Sequence, residues 1–162
     1  MHIPELSSQI VELGEILHQN KYMLGTAESC TGGLISMLLT EVSGSSDWFK
    51  GTIVSYANEV KENLLHVPPD TLEQHGAVSE QTALAMVRGL QETLQVDIAI
   101  SVTGIAGPTG GTEEKPVGTV WIGFALGTQQ FAQHHVFTGC RSDVRYQTAM
   151  AAITTLLHEM KR

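Results

Sequence analysis

Residues 43–61 read SGSSDWFKGTIVSYANEVK. A serine hydroxyl is a weak nucleophile and needs a base. A lysine amine serves as that base only when burial or a neighbouring cation lowers its pKa. The stretch supplies Ser45 and Ser46, then Tyr56, then Lys61. If 52–57 is a strand and 58–65 a helix, Lys61 lies one turn into the helix and can fold back past the strand end. Tyr56 would stand there to bridge, and Ser45 or Ser46 would approach across one strand length. No S-x-x-K spacing fixes the arrangement. On these residues alone the stretch also reads as a serine turn, a packing tyrosine and a solvated lysine.

Two Gly-rich segments are the other candidates. AESCTGG (27–33) falls between a strand and a helix. Its glycines allow close backbone approach, and a helix start offers free N–H groups to an anion. Ser29 and Thr31 add hydroxyls, and Gly32 belongs to the same turn. No GK[ST] follows, so this is not a Walker A loop. Cys30 sits here too, where a helix N-terminus can activate a thiol, although a free cysteine is as readily a small buried hydrophobe. VTGIAGPTGG (102–111) leaves an apolar strand, and ligands of open α/β sheets gather beyond such strand ends. Thr103, Gly104 and Gly107 are its candidate binders. Arg141 and Arg145 share one helix face at i and i+4 and could hold a phosphate, or stand solvated beside Asp143. The seven histidines show no metal-binding spacing, and His134 and His135 would point to opposite faces of a strand. No metal or cofactor is expected.

These residues need a scaffold, and the hydrophobic pattern predicts one. Helical periodicity marks 5–19, 34–39, 79–94 and 142–160. Asn58 is an N-cap candidate for 58–65. VPPDTLEQHGA (67–77) reads as loop plus one helical turn. Strands are expected at 22–27, 52–57 and 97–103, with a hairpin turning near Gly127. DIAISVT (97–103) is almost wholly apolar, the mark of a strand covered on both faces. The expected fold is a three-layer α/β/α sandwich with a mixed, mostly parallel sheet, formed by residues 1–162 as a single domain.

Composition narrows the function. The chain of 162 residues carries a net charge of −8, which disfavours nucleic acid as a partner. Two cysteines are too few for a disulfide framework. HIPELSSQIVELGEIL at the start is amphipathic and acidic, unlike a signal peptide, and no apolar run approaches the roughly 20 residues that span a bilayer. The chain reads as soluble and cytoplasmic.

Four stretches, in order and spacing, resemble the CinA C-terminal-domain family: AESCTGG at 27–33, GSSDWFKGTIVSYANEVK at 44–61, HGAVSE at 75–80 and TGIAGPTGGTEEKPVGTVWIG at 103–123. The resemblance covers essentially the whole chain, and the last stretch is the most specific. At this length the chain resembles the family's nicotinamide-nucleotide amidohydrolases. Larger members carry a further N-terminal nucleotide-hydrolysing domain, whose activity is not expected here. The resemblance implies hydrolysis of nicotinamide mononucleotide to nicotinic acid mononucleotide and ammonia, in pyridine nucleotide recycling. It implies a metal-free serine–lysine mechanism with Ser46, Tyr56 and Lys61, and a homodimer. Ser45 and Ser29 remain alternative nucleophiles. A cysteine amidase using Cys30 and a non-catalytic nucleotide-binding module remain alternative functions. The phosphate site is expected at the 29–33 turn and the 103–107 loop, helped by Arg141 or Arg145.

Overall fold

The structure is a computed structural model describing residues 4–162, with side chains from Leu6 onward. His2 and Ile3, part of the amphipathic stretch above, lie outside the described residues. In chain order the elements are α1 (Pro4–Asn20), β1 (Leu24–Glu28), α2 (Leu34–Thr40), a 3₁₀ turn (Ser45–Asp47), β2 (Phe49–Val54), α3 (Asn58–Leu65), α4 (Pro69–His75), α5 (Glu80–Leu94), β3 (Ile98–Gly104), β4 (Thr119–Leu126), β5 (Gln129–Val136) and α6 (Arg141–Met160). No helix among them is long and apolar enough to cross a membrane.

The sheet runs β2-β1-β3-β4-β5. β2, β1 and β3 are parallel, and β4 and β5 add antiparallel. The sheet is therefore mixed, with helices on both faces. Strand alternation sorts the two cores. Leu24, Ile98, Ile100, Val102, Ile122 and Phe124 face α1, α2 and α6. The small residues Ala27, Ala99 and Ala125 face α3, α4 and α5. Small side chains let α5 come close: Ser101 Oγ donates to the Ala83 carbonyl at 2.7 Å. A Cβ on Gly123 would stand 2.8 Å from that same oxygen. α3 presses equally hard on α5, and a Cβ on Gly89 would overlap the Leu65 carbonyl. Gly89 thus fixes the seat of the helix that carries Lys61.

Most elements match the hydrophobic pattern. Two depart from it. The strand expected at 52–57 is Phe49–Val54. β1 offers five residues, paired from Leu24↔Phe49 to Glu28↔Val54, so the ladder ends with it. One last bond, from the Ser55 N–H to the Glu28 carbonyl at 2.8 Å, closes the strand. Residues 55–57 are then free to cross into α3. In the 67–77 stretch a full helix, Pro69–His75, replaces the single expected turn. Proline at the first helical position costs no hydrogen bond there and presets φ.

Because three adjacent strands are parallel, their carboxyl ends share one edge. The turn after Glu28, the crossing after Val54 and the long loop after Gly104 meet there, where open α/β sheets bind ligands.

Candidate active site

Lys61 is 1% exposed. Its Nζ lies 2.7 Å from the Ser55 carbonyl, 3.3 Å from the Tyr56 carbonyl and 3.2 Å from Ser29 Oγ. The ion pairs among the described residues, Lys161–Glu12 and Arg162–Glu159, do not involve it. Burial pulls its pKa below the usual lysine value, opposed in part by Cys30. A neutral amine has two N–H donors and one lone pair. The two carbonyls can take the donors, and the lone pair is left for the Ser29 hydroxyl proton. The contact set therefore suits a general base.

The serine beside Lys61 is Ser29, not Ser46. Ser46 lies in the 3₁₀ turn that precedes β2. Lys61 reaches the crossing that follows β2. The six residues of that strand separate the two by on the order of 20 Å. Ser45 lies in the same distant turn. Ser29, by contrast, directly follows β1, is 8% exposed, and is tied to β3 by its N–H bond to the Val102 carbonyl at 3.0 Å.

The anion hole expected at the 29–33 turn is already filled from within. Glu28 is fully buried. Its carboxylate accepts from the N–H groups of Gly33 (3.0 Å), Ile35 (3.1 Å) and Ser36 (2.8 Å) at the start of α2. The Thr31 hydroxyl also donates to Glu28, at 2.7 Å, so it is not offered to a substrate. Gly32 and Gly33 adopt left-handed φ of 59° and 96°, which glycine tolerates without strain. Their role is to shape the turn.

Cys30 is buried beside Ser29. Burial chiefly pushes its pKa up to about 12. A thiol held so firmly protonated is a poor nucleophile, which argues against the cysteine alternative.

Tyr56 divides its roles. Its carbonyl meets Lys61, but the residue is 62% exposed, and its hydroxyl accepts from Arg141 Nη2 at 2.9 Å. It does not bridge serine and lysine. Arg141 Nη1 donates to the Gly107 carbonyl at 2.8 Å, so one guanidinium joins the Tyr56 ring to the Gly-rich loop. Arg145 turns elsewhere. Its Nη2 donates to the Thr31 carbonyl at 2.7 Å and buttresses the 29–33 turn. Thr103 Oγ1 donates to the Ala77 carbonyl at 2.6 Å. Gly104 admits Val120, whose Cγ2 would stand 2.6 Å from any Cβ there.

A cleft of about 180 Å³ opens over this constellation. Ser29, Cys30, Tyr56, Lys61, Thr103, Gly104 and Arg141 line it. Asn58, Ala77, Val78 and Ala106 line it too, Ala106 from the expected 103–107 loop and the other three from outside the expected site residues. Asn58, expected as the helix cap, is the first helical residue, and Ala57 holds the cap position. Ala77 and Val78 belong to the HGAVSE stretch, and their own aliphatic side chains give no chemical signal. Thr31, Gly32, Gly107 and Arg145 support the walls from behind. Among the described residues no cluster of His, Cys, Asp and Glu could hold a metal ion. His134 packs tilted against Trp121, and His135 stacks on Phe137.

The CinA C-terminal domain model matches residues 7–160. The chain is 47% identical over 150 residues to "Nicotinamide-nucleotide amidohydrolase PncC" of Enterobacter agglomerans, covering 92% of each protein. It is 42% identical over 153 residues to the protein of that name from Escherichia coli, covering 94% of this chain and 93% of that one. A "CinA-like protein" of Petrotoga mobilis is 43% identical over 152 residues, and there the match spans only 38% of the relative. The crystal structure of the competence/damage inducible protein CihA from Agrobacterium tumefaciens superposes with a TM-score of 0.95 at 35% identity, covering 100% of this chain and 99% of that one. The chain belongs to the CinA C-terminal domain family.

Proposed function

We propose that this chain is an amidohydrolase that converts nicotinamide mononucleotide and water to nicotinic acid mononucleotide and ammonia, with Ser29 as nucleophile and Lys61 as base. The observation that carries the mechanism is the buried Lys61 amine 3.2 Å from Ser29 Oγ. The substrate class comes from relatives of nearly the same length named nicotinamide-nucleotide amidohydrolase.

Neutral Lys61 takes the hydroxyl proton as Ser29 Oγ attacks the carboxamide carbon. The N–H groups of Cys30 and Thr31, which Glu28 does not take, are the proposed oxyanion donors. One such donor is worth about 3 kcal/mol in known cases. The tetrahedral adduct collapses, the C–N bond breaks, and the amine leaves as ammonia with the proton Lys61 had taken. Water then attacks the acyl ester with Lys61 again as base, releasing the carboxylate product and restoring Ser29. Arg141, at the cleft wall, is the proposed partner of the substrate phosphate. The product feeds pyridine nucleotide recycling in the cytoplasm, and the enzyme works as a homodimer.

The test is ammonia release from nicotinamide mononucleotide by the wild type, S29A and S46A, with EDTA present. Release by wild type and S46A, with S29A reduced at least about 10³-fold, is the expected result. An active S29A beside an inactive S46A would return the nucleophile to Ser46. Saturable binding without release by the wild type would leave a nucleotide-binding module.

A further inference from the structure

Glu28 immediately precedes Ser29 and is fully buried. A buried carboxylate is costly unless its lone pairs are satisfied. No lysine or arginine among the described residues pairs with it. Five donors hold it instead: Thr26 Oγ1 at 3.3 Å, Thr31 Oγ1 at 2.7 Å, and the N–H groups of Gly33, Ile35 and Ser36. Three of these are backbone donors at the positive end of α2.

The bonds have a geometric consequence. They run from the residue before Ser29 to residues on the far side of the turn. Ser29 is therefore enclosed in a loop that one side chain staples shut. The loop contains two left-handed glycines, Gly32 and Gly33, which let the chain take this turn but add backbone freedom that the Glu28 bonds restrict. Ser29 has two backbone ties besides, its N–H to the Val102 carbonyl at 3.0 Å and its carbonyl accepting from the Gly32 N–H at 3.1 Å, and Arg145 braces the outside through the Thr31 carbonyl.

We infer that Glu28 is a positioning residue for the reaction: its carboxylate, occupying the α2 N-terminus as a built-in anion, sets Ser29 Oγ at the Lys61 amine. This rests on Ser29 being the nucleophile. Displacing a nucleophile by about 1 Å costs on the order of 10²-fold in rate. Glutamine keeps the shape at Glu28 but turns an N–H₂ toward converging donors, which forces the turn apart.

The experiment measures kcat, KM and Tm for wild type, E28Q, T31V, S29A and the E28Q/S29A double variant. T31V removes one bond to Glu28 at nearly constant volume. E28A is assayed with and without formate, a carboxylate small enough for the vacated space. The expected result is an E28Q enzyme folded at assay temperature, with kcat down roughly 10²-fold and KM little changed. T31V shows a smaller loss of the same kind, formate restores part of the E28A turnover, and E28Q costs nothing further in the S29A background. Wild-type kcat in both E28Q and T31V, a loss carried by KM, or equal losses with and without Ser29 would each overturn the inference. An S29A enzyme turning over at the wild-type rate would instead sink the nucleophile assignment itself.

Discussion

Lys61 Nζ stands 3.2 Å from Ser29 Oγ across a sequence separation of 32 residues, while Ser46, much nearer to Lys61 in sequence, lies at the opposite end of β2. Parallel pairing of β1 and β2 explains both facts. The loops that follow two parallel neighbours emerge side by side, and the turn that precedes one of them emerges at the other edge.

The pH dependence of turnover tests the base. Burial disfavours the Lys61 cation, so its proton leaves below the ordinary value of 10.5. The neutral base accumulates as pH rises through that lowered pKa, and kcat should climb there and then level off. K61M should lose about 10³-fold in kcat. Stability follows the same linkage. Between the folded pKa and 10.5 the unfolded chain binds more protons, so stability rises with pH across that window and K61M abolishes the rise. A pH–rate profile and urea melts at several pH values check both. An unchanged acid limb in K61M would remove Lys61 from the chemistry.

Cys30 should be dispensable. Its thiol pKa, pushed up to about 12, predicts slow alkylation by iodoacetamide near pH 7 and a C30A enzyme within a few-fold of wild-type kcat. Rapid inactivating labelling of Cys30 would contradict this.

Arg141 and Arg145 should separate kinetically although they share a helix face. R141A loses a cleft wall and the proposed phosphate contact, so KM should rise roughly ten-fold, the effect of one charge-assisted hydrogen bond. R145A removes the brace on the Thr31 carbonyl and should lower kcat and Tm. Steady-state kinetics with thermal melts distinguish the two. Y56F should cost little, because the hydroxyl faces Arg141; a loss above about 10²-fold, the range of general acid–base catalysis, would make Tyr56 a proton relay.

G89A should be strongly destabilising. The added methyl would meet the Leu65 carbonyl, and overpacking of this kind costs about 1–3 kcal/mol. Since α3 must retreat from α5, kcat should fall as well. Urea unfolding measures the first effect and ammonia release the second. Wild-type stability would show that α3 can move freely.

Much of this molecule was legible in its residues. The NEVKENLL stretch located α3 at 58–65, although Ala57 and not Asn58 caps it, and with it the position of Lys61 one turn in. The buried 98–104 strand and the Gly-rich loop after it marked one wall of the cleft. Local preference carries such information because it acts within a few residues. Choosing Ser29 over Ser46 lay beyond its reach. That choice follows from strand order and from a ladder that stops at Val54 because β1 stops at Glu28. Nothing in the sequence singled out Glu28; the fold buries it against the start of α2, turning an expected site for a ligand's anion into one the chain fills with its own.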